Sequence, residues 1–313
     1  MKAVQINAYG GVEVIAINPD AQKPSLKNNQ VLVENRAASI NPIDWKVRAG
    51  YLKDMVPLQF PITLGGDFSG IITEIGVEVT DLKVGDEIYG QAPLLNGGSG
   101  SMAEYVAANA ASSAKRPANI DFIESASLPL TGVSAVQALE DHMKLQSGQK
   151  ILIHGGAGGI GSIAIQLAKA LGAYVATTVG TDDLDYVKQL GADEIVNYKT
   201  EQFEEKLKDF DAVYDTVGGE TTDTSFQVLK RGGIILSMLG QPKPELAEKY
   251  GVTAIGQMTE VTTERLNRFS QLIDSGKIKP HVDKMFGLDQ AKEAFMYQEA
   301  QHPRGKVVLK IKE

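Results

Sequence analysis

The chain of 313 residues contains no cysteine, one tryptophan and four histidines. The lack of cysteine excludes disulfides, thiolate metal sites and a cysteine nucleophile, and it agrees with a reducing compartment, so we expect a cytoplasmic location. The histidines show no ligand spacing, and we interpret them as surface or supporting residues: His142, His154, His281 and His302. No bound metal is therefore expected.

Basic clusters and long apolar runs are missing as well. With 31 basic and 39 acidic residues the net charge is −8, which argues against nucleic acid or an anionic membrane as a partner. No segment approaches the roughly 18 apolar residues that span a bilayer, and Met1–Asn7 turns polar too early for a signal peptide. No Ser-His-Asp set or carboxylate pair stands out, so hydrolysis has no support.

The most informative segment is Lys150–Ser162, which reads KILIHGGAGGIGS. An apolar run typical of a buried strand leads into a glycine turn with G-x-G-x-x-G spacing, and apolar residues at helical spacing follow. Strand, turn and helix in this order are the context of a dinucleotide-binding fingerprint, in which helix N–H groups face phosphates. The predicted cofactor-binding residues of the turn are Gly156, Ala157, Gly158, Gly159, Ile160 and Gly161.

Three glycines of this turn have separate predicted roles. We expect Gly156 to permit the tight turn and Gly158 to let the backbone approach a pyrophosphate. Gly161 is expected to let the helix pack closely on the strand. A mobile glycine loop is the alternative, and the flanking strand and helix patterns argue against it.

The pattern of secondary structure changes near residue 120. Short strands separated by turn residues come before this point, which is typical of a barrel or sandwich. From Lys150 strands and helices alternate, which predicts a parallel sheet with helices on both faces. Lys306–Ile311 reads as a strand without a βα partner, so we expect it to return to the N-terminal β domain. The expected domains are residues 1–120, residues 121–260 and a returning segment, residues 261–313.

A series of motifs runs along the whole chain: SINPIDWK at 39–46, LGGDFSG at 64–70, VGDEIYG at 84–90, SLPLTG at 127–132, the glycine turn, LGAD at 190–193 and PRGKVVL at 303–309. Each motif alone is common, whereas the full set in this order is specific. It resembles the medium-chain dehydrogenase/reductase superfamily and, within it, the zinc-free quinone oxidoreductases and alkenal/enone reductases. The resemblance implies an α/β fold with a GroES-like β-barrel domain and a Rossmann domain built on a doubly wound parallel sheet. It also implies a homodimer formed through the cofactor-domain sheet, near Gly233–Leu239.

The expected chemistry follows from ligands that this chain lacks. Alcohol dehydrogenases of the superfamily place a cysteine near Asp44 and a His-Glu pair where Gly66 and Asp67 stand here. Without a metal, oxidation of a simple alcohol loses its main source of charge stabilisation. Reduction of a quinone or an activated C=C bond needs no metal, because a conjugated carbonyl already polarises the carbon that accepts hydride. The resemblance therefore implies NADPH-dependent, metal-free reduction of a small quinone or enone.

Two other classes of function remain as alternatives. One is a nucleotide-binding structural or regulatory protein with little catalysis. The other is a zinc-dependent alcohol dehydrogenase, which the missing ligands oppose.

Four side chains are candidates for the catalytic site through the resemblance. Asn41 would face the nicotinamide or the substrate carbonyl, although an asparagine before proline also suits a turn. Asp44 would orient this loop, and a helix N-cap explains it equally well. Lys46 would polarise a carbonyl oxygen or hold a ribose, unless it is a solvated surface lysine. Tyr51 is a further candidate donor.

The end of the second predicted strand bears on the choice between NADPH and NADH. Thr178 and Gly180 lie where an NAD site usually carries an acidic residue, and small residues there leave room for a 2′-phosphate. Relatives use a tyrosine at the position of Tyr198 and often a lysine just after the glycine. The lysine is missing here, so we predict NADPH with Lys188 as a possible compensating cation.

Two acidic residues near the expected phosphate and three residues near the expected nicotinamide complete the cofactor prediction. Asp182 and Asp183 follow Gly180 and would repel a phosphate if they faced it. Thr131 and Ser134 match positions that approach the nicotinamide in relatives, although Ser134 could equally be ordinary helix surface. Leu239 is the last predicted cofactor contact.

Overall fold

The computed structural model describes residues 1–55, 57–300 and 302–312. The chain divides into two compact units. The first unit comprises Met1–Leu130, Val261–Asp274 and Pro280–Glu313, and the second comprises Thr131–Glu260 and Ser275–Lys279.

Strands and helices are named here in chain order within the described residues. The strands are β1 (Ala3–Ile6), β2 (Ile15–Asn18), β3 (Gln30–Ile40), β4 (Ile62–Thr63), β5 (Asp67–Ile75), β6 (Glu87–Gln91), β7 (Tyr105–Asn109), β8 (Ser113–Lys115), β9 (Lys150–His154), β10 (Tyr174–Val179), β11 (Glu194–Asn197), β12 (Phe210–Asp215), β13 (Leu229–Ser237), β14 (Thr253–Gly256), β15 (Val282–Gly287) and β16 (Lys306–Lys310). The α-helices are α1 (Pro42–Arg48), α2 (Phe122–Ala126), α3 (Pro129–Val136), α4 (Gly159–Ala170), α5 (Leu184–Gln189), α6 (Phe203–Lys206), α7 (Glu220–Ser225), α8 (Pro244–Tyr250), α9 (Thr263–Asp274) and α10 (Ala291–Ala300). A π-helix, Gln137–His142, continues α3.

The second unit is built on a parallel sheet with the strand order β11-β10-β9-β12-β13-β14. In chain order this is 3-2-1-4-5-6, the order of a Rossmann fold. The central strand β9 pairs with β10 on one side and β12 on the other, and both pairings are parallel. The predicted alternation of strand and helix from Lys150 onward is therefore confirmed.

Burial explains why β9 and α4 form where the sequence predicts them. The side chains of Ile151, Leu152 and Ile153 are all fully buried, as expected for a central strand covered on both faces. The buried residues of α4 recur at helical spacing, and this apolar face packs on the sheet: Ile163, Ala164, Leu167 and Ala168. The strand and helix thus hold the glycine turn between two packed elements.

The first unit is mostly β. A three-stranded antiparallel sheet has the order β2-β1-β4, and a second sheet has the order β15-β16-β3-β5-β6-β8, with β7 also paired to β3. The C-terminal strand β16 pairs antiparallel with β3, so Val307 lies opposite Ile40. On the other side of β3, Ser39 lies opposite Asp67 at the start of β5. The expected return of the last strand to the N-terminal β domain is observed.

Two boundaries differ from the expected 1–120, 121–260 and 261–313. The helix α2 belongs to the first unit because it packs on β3 and β5, with Ala126 buried against Ala37 and Val308. Residues 275–279 belong to the second unit, where the Gln166 side chain bonds both the N–H and the C=O of Lys279. The sequence shows neither contact, because both partners are distant along the chain.

The strand expected to mediate dimerisation is inside its sheet. The segment Gly233–Leu239 includes most of β13, which pairs with β12 on one side and β14 on the other. Its backbone groups are therefore already used, and β14 is the edge strand on that side. Residues 233–239 therefore cannot pair with a second copy of the chain as the sequence analysis expected, because both sides of β13 are occupied.

Candidate active site

The glycine turn connects β9 to α4 at the carboxyl end of the central strand. Gly155 has a φ of +69°, and the N–H of Gly158 donates to the Gly155 carbonyl at 3.1 Å. Gly158 is the N-cap of α4, which begins at Gly159. The first N–H groups of a helix have no partner within it, so this end of α4 presents donors and a positive dipole end to an anion.

The structure changes the predicted roles of two glycines. The left-handed residue of the turn is Gly155 rather than Gly156. A Cβ on Gly156 would lie 2.1 Å from Oγ1 of Thr177, so that glycine permits close approach of the turn to β10. A Cβ on Gly161 would lie 2.2 Å from the Gly155 carbonyl oxygen, so α4 packs closely on the turn itself.

Gly158 differs from these two glycines. A Cβ there would meet only the Gly155 oxygen, at 3.4 Å, which is ordinary contact distance. Nothing in the folded chain therefore demands glycine at this position. The space beside its backbone is open, as the approach of a phosphate group requires.

A buried histidine supports the turn from beneath. Oγ1 of Thr178 lies 2.9 Å from Nδ1 of His154, and Oγ of Ser225 lies 2.9 Å from Nε2. Because Ser225 donates its own hydrogen to the Thr221 carbonyl, we assign the Nε2–H tautomer, with Thr178 donating to Nδ1. Burial lowers the pKa of His154 to about 4, against an opposing effect of Asp215, so the ring is neutral at physiological pH.

Asp215 organises the neighbouring loop at the end of β12. Its buried carboxylate accepts the N–H groups of Val217 at 2.9 Å and Gly218 at 3.0 Å. The hydroxyls of Thr222 and Ser237 donate to its other oxygen. One side chain thus joins the ends of β12 and β13 to the start of α7.

The other predicted cofactor residues lie in the same unit, in two groups. Thr131 and Ser134 lie on α3, and both are buried. Ser134 shares a hydrogen bond of 2.7 Å with Thr259, so the alternative that it is ordinary helix surface is wrong. Leu239 follows β13, is half-exposed, and its N–H donates to the Ser237 hydroxyl at 3.2 Å.

The second group surrounds the end of β10. A Cβ placed on Gly180 would lie 3.5 Å from the Tyr198 hydroxyl, and the Tyr198 side chain is 56% exposed. The same point lies 3.6 Å from Nζ of Lys199. Thr178 is buried and its hydroxyl is committed to His154. Sequence reasoning did not single out Lys199, because its proximity to Gly180 follows from the pairing of β10 with β11.

The first unit contains a buried polar cluster where three adjacent strands end or begin. Nζ of Lys306 donates to Oδ1 of Asn41 at 2.6 Å and also to the carbonyl of Ile40. Nδ2 of Asn41 donates to Oδ2 of Asp67 at 2.8 Å. Asn41 follows β3, whereas Asp67 and Lys306 begin its neighbours β5 and β16. The antiparallel topology brings the three residues together.

Further donors complete the shell of Asp67. Nε2 of Gln91 donates to Oδ1 at 2.7 Å, and the Ser39 hydroxyl donates to Oδ2 at 3.2 Å. The backbone N–H of Leu130 lies 3.4 Å from the same oxygen. A buried carboxylate is tolerated when its lone pairs are satisfied in this way.

Burial perturbs the ionisation of the whole cluster. It raises the pKa of Asp67, while the Lys306 ammonium and the donors from Asn41 and Gln91 lower it. Burial lowers the pKa of Lys306, and Asp67 and Asp44 oppose that shift. Burial also raises the pKa of Asp44 to about 7, with Asp67 adding to the rise and the Asn41 N–H and Lys306 opposing it. Two carboxyl groups thus share the field of one ammonium.

The predicted catalytic residues occupy different environments around α1. Asn41 is its N-cap residue, and the Asn41 N–H donates to Oδ2 of Asp44 at 2.7 Å. Asp44 therefore stabilises the helix start from the third helical position and is not the N-cap itself. Lys46 is half-buried, with Nζ 5.7 Å from the Trp45 ring centre. Tyr51 is 71% exposed and contacts the Trp45 ring edge-on.

Two members of the cluster were not predicted as site residues. Lys306 is the first residue of a strand and precedes the apolar run Val307–Leu309, and a lysine at a strand end is ordinarily solvated. Asp67 was noted only as the residue standing in place of a metal ligand. Their burial depends on the pairing of β16 and β5 with β3, and Lys306 and Asn41 are 265 positions apart.

Two kinds of feature are absent from the described part of the chain: a cluster of metal ligands and a membrane-spanning helix. Among residues 1–55, 57–300 and 302–312, no group of three or more His, Cys, Asp or Glu side chains could hold a metal ion. In the same ranges no helix combines the length and apolar character that crossing a membrane requires.

Comparisons with known proteins agree with this architecture. The family described as "Alcohol dehydrogenase GroES-like domain" matches residues 27–118, and that described as "Zinc-binding dehydrogenase" matches residues 190–309. The chain is 37% identical to the 2-methylene-furan-3-one reductase of Solanum lycopersicum, across 99% of this chain and 79% of that protein. It is 36% identical to the chloroplastic NADPH-dependent alkenal/one oxidoreductase of Arabidopsis thaliana, with coverage of 99% and 79%. The structure of the quinone oxidoreductase from Coxiella burnetii matches with a TM-score of 0.91 at 34% identity, covering 100% of this chain and 99% of that one.

The fold, the glycine turn and these similarities define an oxidoreductase-type α/β protein with a GroES-like domain and a Rossmann domain. The chain belongs to the medium-chain dehydrogenase/reductase superfamily, in its group of quinone oxidoreductases and alkenal/enone reductases.

The cluster does not fit the zinc ion that one family description implies. The chain has no cysteine, and glycine stands at position 66 beside Asp67. The Lys306 ammonium already supplies a positive charge beside Asn41 and interacts electrostatically with both carboxyl groups. A divalent cation at these residues would be repelled by that ammonium.

Replacement of Lys306 by methionine tests the importance of this buried charge. Lys306→Met keeps the apolar stem but leaves the Asp67 carboxylate, the Asn41 oxygen and the Ile40 carbonyl without their donor or counter-charge. We expect a loss of about 3–5 kcal/mol in the free energy of unfolding, measured by urea denaturation. The control is Lys312→Met, which removes an exposed ion pair with Glu34 and should cost less than about 1 kcal/mol. Equal losses in the two variants would contradict the account.

Two glycine substitutions test the geometry of the turn. In Gly161→Ala the new methyl group collides with the Gly155 oxygen, and we expect a loss of about 1–3 kcal/mol despite the better helix propensity of alanine. Gly158→Ala meets no close atom and should change stability by less than about 1 kcal/mol. Thermal unfolding of both variants measures their stabilities. A Gly158→Ala variant less stable than Gly161→Ala would contradict the packing described for the turn.

Proposed function

We propose that this chain is an NADPH-dependent oxidoreductase that reduces quinones or α,β-unsaturated carbonyls by hydride transfer without a metal. The observation that carries the proposal is the glycine turn at the carboxyl end of β9, where Gly158 leaves open space at the start of α4. Ligands of open α/β sheets bind at this end of the strands. The substrate class comes from the relatives, whose names describe reductases of enones, alkenals and quinones.

The end of β10 supports NADPH over NADH. Gly180 carries no acidic side chain that would bond a ribose 2′-hydroxyl, and the Tyr198 hydroxyl and the Lys199 ammonium both border it. A lysine cation and a tyrosine hydroxyl are suitable partners for a 2′-phosphate. Lys199 thus supplies the positive charge for which the sequence alone suggested Lys188. When bound, NADPH supplies the hydride.

The buried cluster supports metal-free chemistry. Lys306 supplies a positive charge to it, and both polar ends of the Asn41 amide are committed, to Lys306 and to Asp67. We propose that Asn41 positions α1 and Asp67 rather than contacting the substrate. Lys46 and Tyr51 remain accessible on or after α1 and are the proposed contacts for the substrate oxygen.

The nicotinamide contacts, the cellular location and the oligomeric state are also proposals. We propose that Thr131, Ser134 and Leu239 adjoin the nicotinamide, that the protein is a cytoplasmic homodimer, and that β14 is the strand that pairs if the dimer forms through the sheet. The edge position of β14 supports this last point.

Consumption of NADPH tests the proposed function. The purified protein should oxidise NADPH in the presence of at least one class among quinones, 2-alkenals and cyclic enones, with product formation matching cofactor loss. The activity should persist after dialysis against a chelator. Tight NADPH binding with no turnover across the panel would instead favour a nucleotide-binding protein with little catalysis.

Substitution of Lys199 tests the cofactor preference. Lys199→Ala should weaken NADPH binding about tenfold, the value of a charge-assisted hydrogen bond, while NADH binding changes little. Quenching of protein fluorescence measures both dissociation constants without a substrate. The matched control is Lys188→Ala, another exposed lysine, which should change NADPH binding less than about twofold. Equal weakening of NADPH and NADH by Lys199→Ala would rule out a contact with the 2′-phosphate.

A further inference from the structure

Three large apolar side chains are exposed at the carboxyl end of the parallel sheet in the second unit. Val217 follows β12, Leu239 follows β13 and Met258 follows β14, each two positions beyond the last residue of its strand. Their exposed fractions are 53%, 49% and 88%. Because β12, β13 and β14 are consecutive neighbours in the sheet, we call these three residues the apolar row.

The strand register brings the members of the apolar row next to one another. Asp215 pairs with Ser237, and Ser237 pairs with Gly256, so the last residues of the three strands form one line across the sheet. Neighbouring strands lie about 4.8 Å apart, and the row therefore extends roughly 10 Å. Single exposed apolar residues are ordinary, whereas a contiguous set marks a binding surface.

The apolar row begins at the glycine turn. A Cβ on Gly155 would lie 3.3 Å from Cγ2 of Val217, and a Cβ on Gly218 would lie 2.7 Å from Cβ of Leu239. The turn thus adjoins Val217, and the loop that carries Val217 adjoins Leu239. The row is therefore continuous with the part of the sheet at which we propose that the dinucleotide binds.

Hydrogen bonds hold the backbone on both sides of Met258. Nε2 of Gln137 donates to the Met258 carbonyl at 3.1 Å. Nε2 of Gln257 donates to the Ser134 carbonyl at 3.1 Å, and the Thr259 hydroxyl lies 2.7 Å from the Ser134 hydroxyl. The residues before and after Met258 are both fixed to Ser134, while the Met258 side chain is left in water. A ligand that covers this side chain would gain hydrophobic free energy without first having to order the segment.

The neighbours of Met258 indicate which ligand it contacts. Ser134 and Leu239 are proposed neighbours of the nicotinamide, and Met258 follows the strand beyond that of Leu239, on the side away from the glycine turn. The substrate must adjoin the nicotinamide for hydride to pass. The three side chains of the row carry no charge and no strong hydrogen-bonding group, and methionine adapts to apolar groups of different shape. An alkyl chain matches such a surface.

We propose that the apolar row binds the alkyl chain of an α,β-unsaturated carbonyl substrate and that Met258 makes the protein select for chain length. This inference rests on the proposed function and narrows its substrates to 2-alkenals and enones that carry an alkyl chain. Contact with Met258 removes apolar surface of the substrate from water, so transition-state binding improves with each methylene that reaches this side chain.

A series of 2-alkenals tests the inference. Full burial of a methylene improves binding about fourfold, and a surface that covers one side of the chain should give about twofold. We therefore expect kcat/KM of the wild type to rise about 16-fold from 2-pentenal to 2-nonenal. Met258→Ser should reduce this rise to less than about fourfold, because its short polar side chain covers no methylene. Met258→Leu, which keeps an apolar side chain, should restore it.

Met296→Ser is the matched control. Met296 lies on α10 in the first unit and is 55% exposed, but it does not belong to the apolar row. This variant should show the same chain-length dependence as the wild type. The dissociation constant for NADPH should be unchanged in all three variants, which would show that the cofactor site is intact.

Binding without turnover gives a second measurement. The saturated ketone 2-nonanone has no activated C=C bond, and with NADP⁺ in place of NADPH no hydride is available. In protein labelled with ¹³C at the methionine methyl groups, 2-nonanone should shift the NMR signal of Met258, which Met258→Leu identifies by its loss. The signal of Met296 should stay in place.

The outcomes separate this inference from the proposed function. If the wild type reduces no quinone, 2-alkenal or enone, both are overturned. If it reduces quinones alone, or if kcat/KM does not depend on chain length, only the role of the apolar row is overturned. Retention of the full rise by Met258→Ser, or an unshifted Met258 signal, would have the same consequence. A change of oligomeric state in Met258→Ser on gel filtration, with the rise intact, would assign the row to a second copy of the chain and would also overturn the inference.

Discussion

The interaction on which the candidate site of the first unit depends is the contact of the Lys306 ammonium with Asn41. It joins the C-terminal strand β16 to the end of β3 and the beginning of α1, and through the Asn41 amide it reaches Asp67 on β5. A lysine ammonium can only donate, so the Asn41 amide turns its oxygen towards Lys306 and its N–H towards Asp67. The hydrogen bonds therefore run in one direction, from Lys306 to Asn41 and from Asn41 to Asp67.

In the second unit, the close packing of the glycine turn on its neighbours has the same importance as the Lys306–Asn41 contact has in the first. Gly156 and Gly161 leave no room for a side chain, because Thr177 and the Gly155 carbonyl occupy the space where a Cβ would lie. The neutral His154 and the carboxylate of Asp215 then hold the surrounding loops through hydrogen bonds to Thr178, Ser225, Val217 and Gly218. Gly158 lies free of such packing, which makes its backbone accessible to a ligand.

Local pattern was enough to predict the Rossmann sheet, the start of α4 and the identity of the glycine turn, because strand, turn and helix periodicities are properties of short segments. It was not enough to locate Lys306 beside Asn41 or Lys199 beside Gly180, since each contact depends on strand pairing. For the same reason the sequence attributed the tight turn to Gly156, whereas Gly155 is the residue with positive φ, and it placed α2 in the other unit. The resemblance to a family supplied the substrate class, which no residue pattern encodes by itself.

The central claim is that this chain transfers hydride to an activated carbon without help from a metal. Reduction of an enone with NADPH carrying deuterium at the transferable C4 position, after exhaustive chelation, tests it most directly. The account predicts one deuterium at the β-carbon of the product, found by mass spectrometry and NMR, and a hydrogen from solvent at the α-carbon. Absence of deuterium from the β-carbon, or loss of the reaction on chelation with recovery on adding zinc, would contradict it.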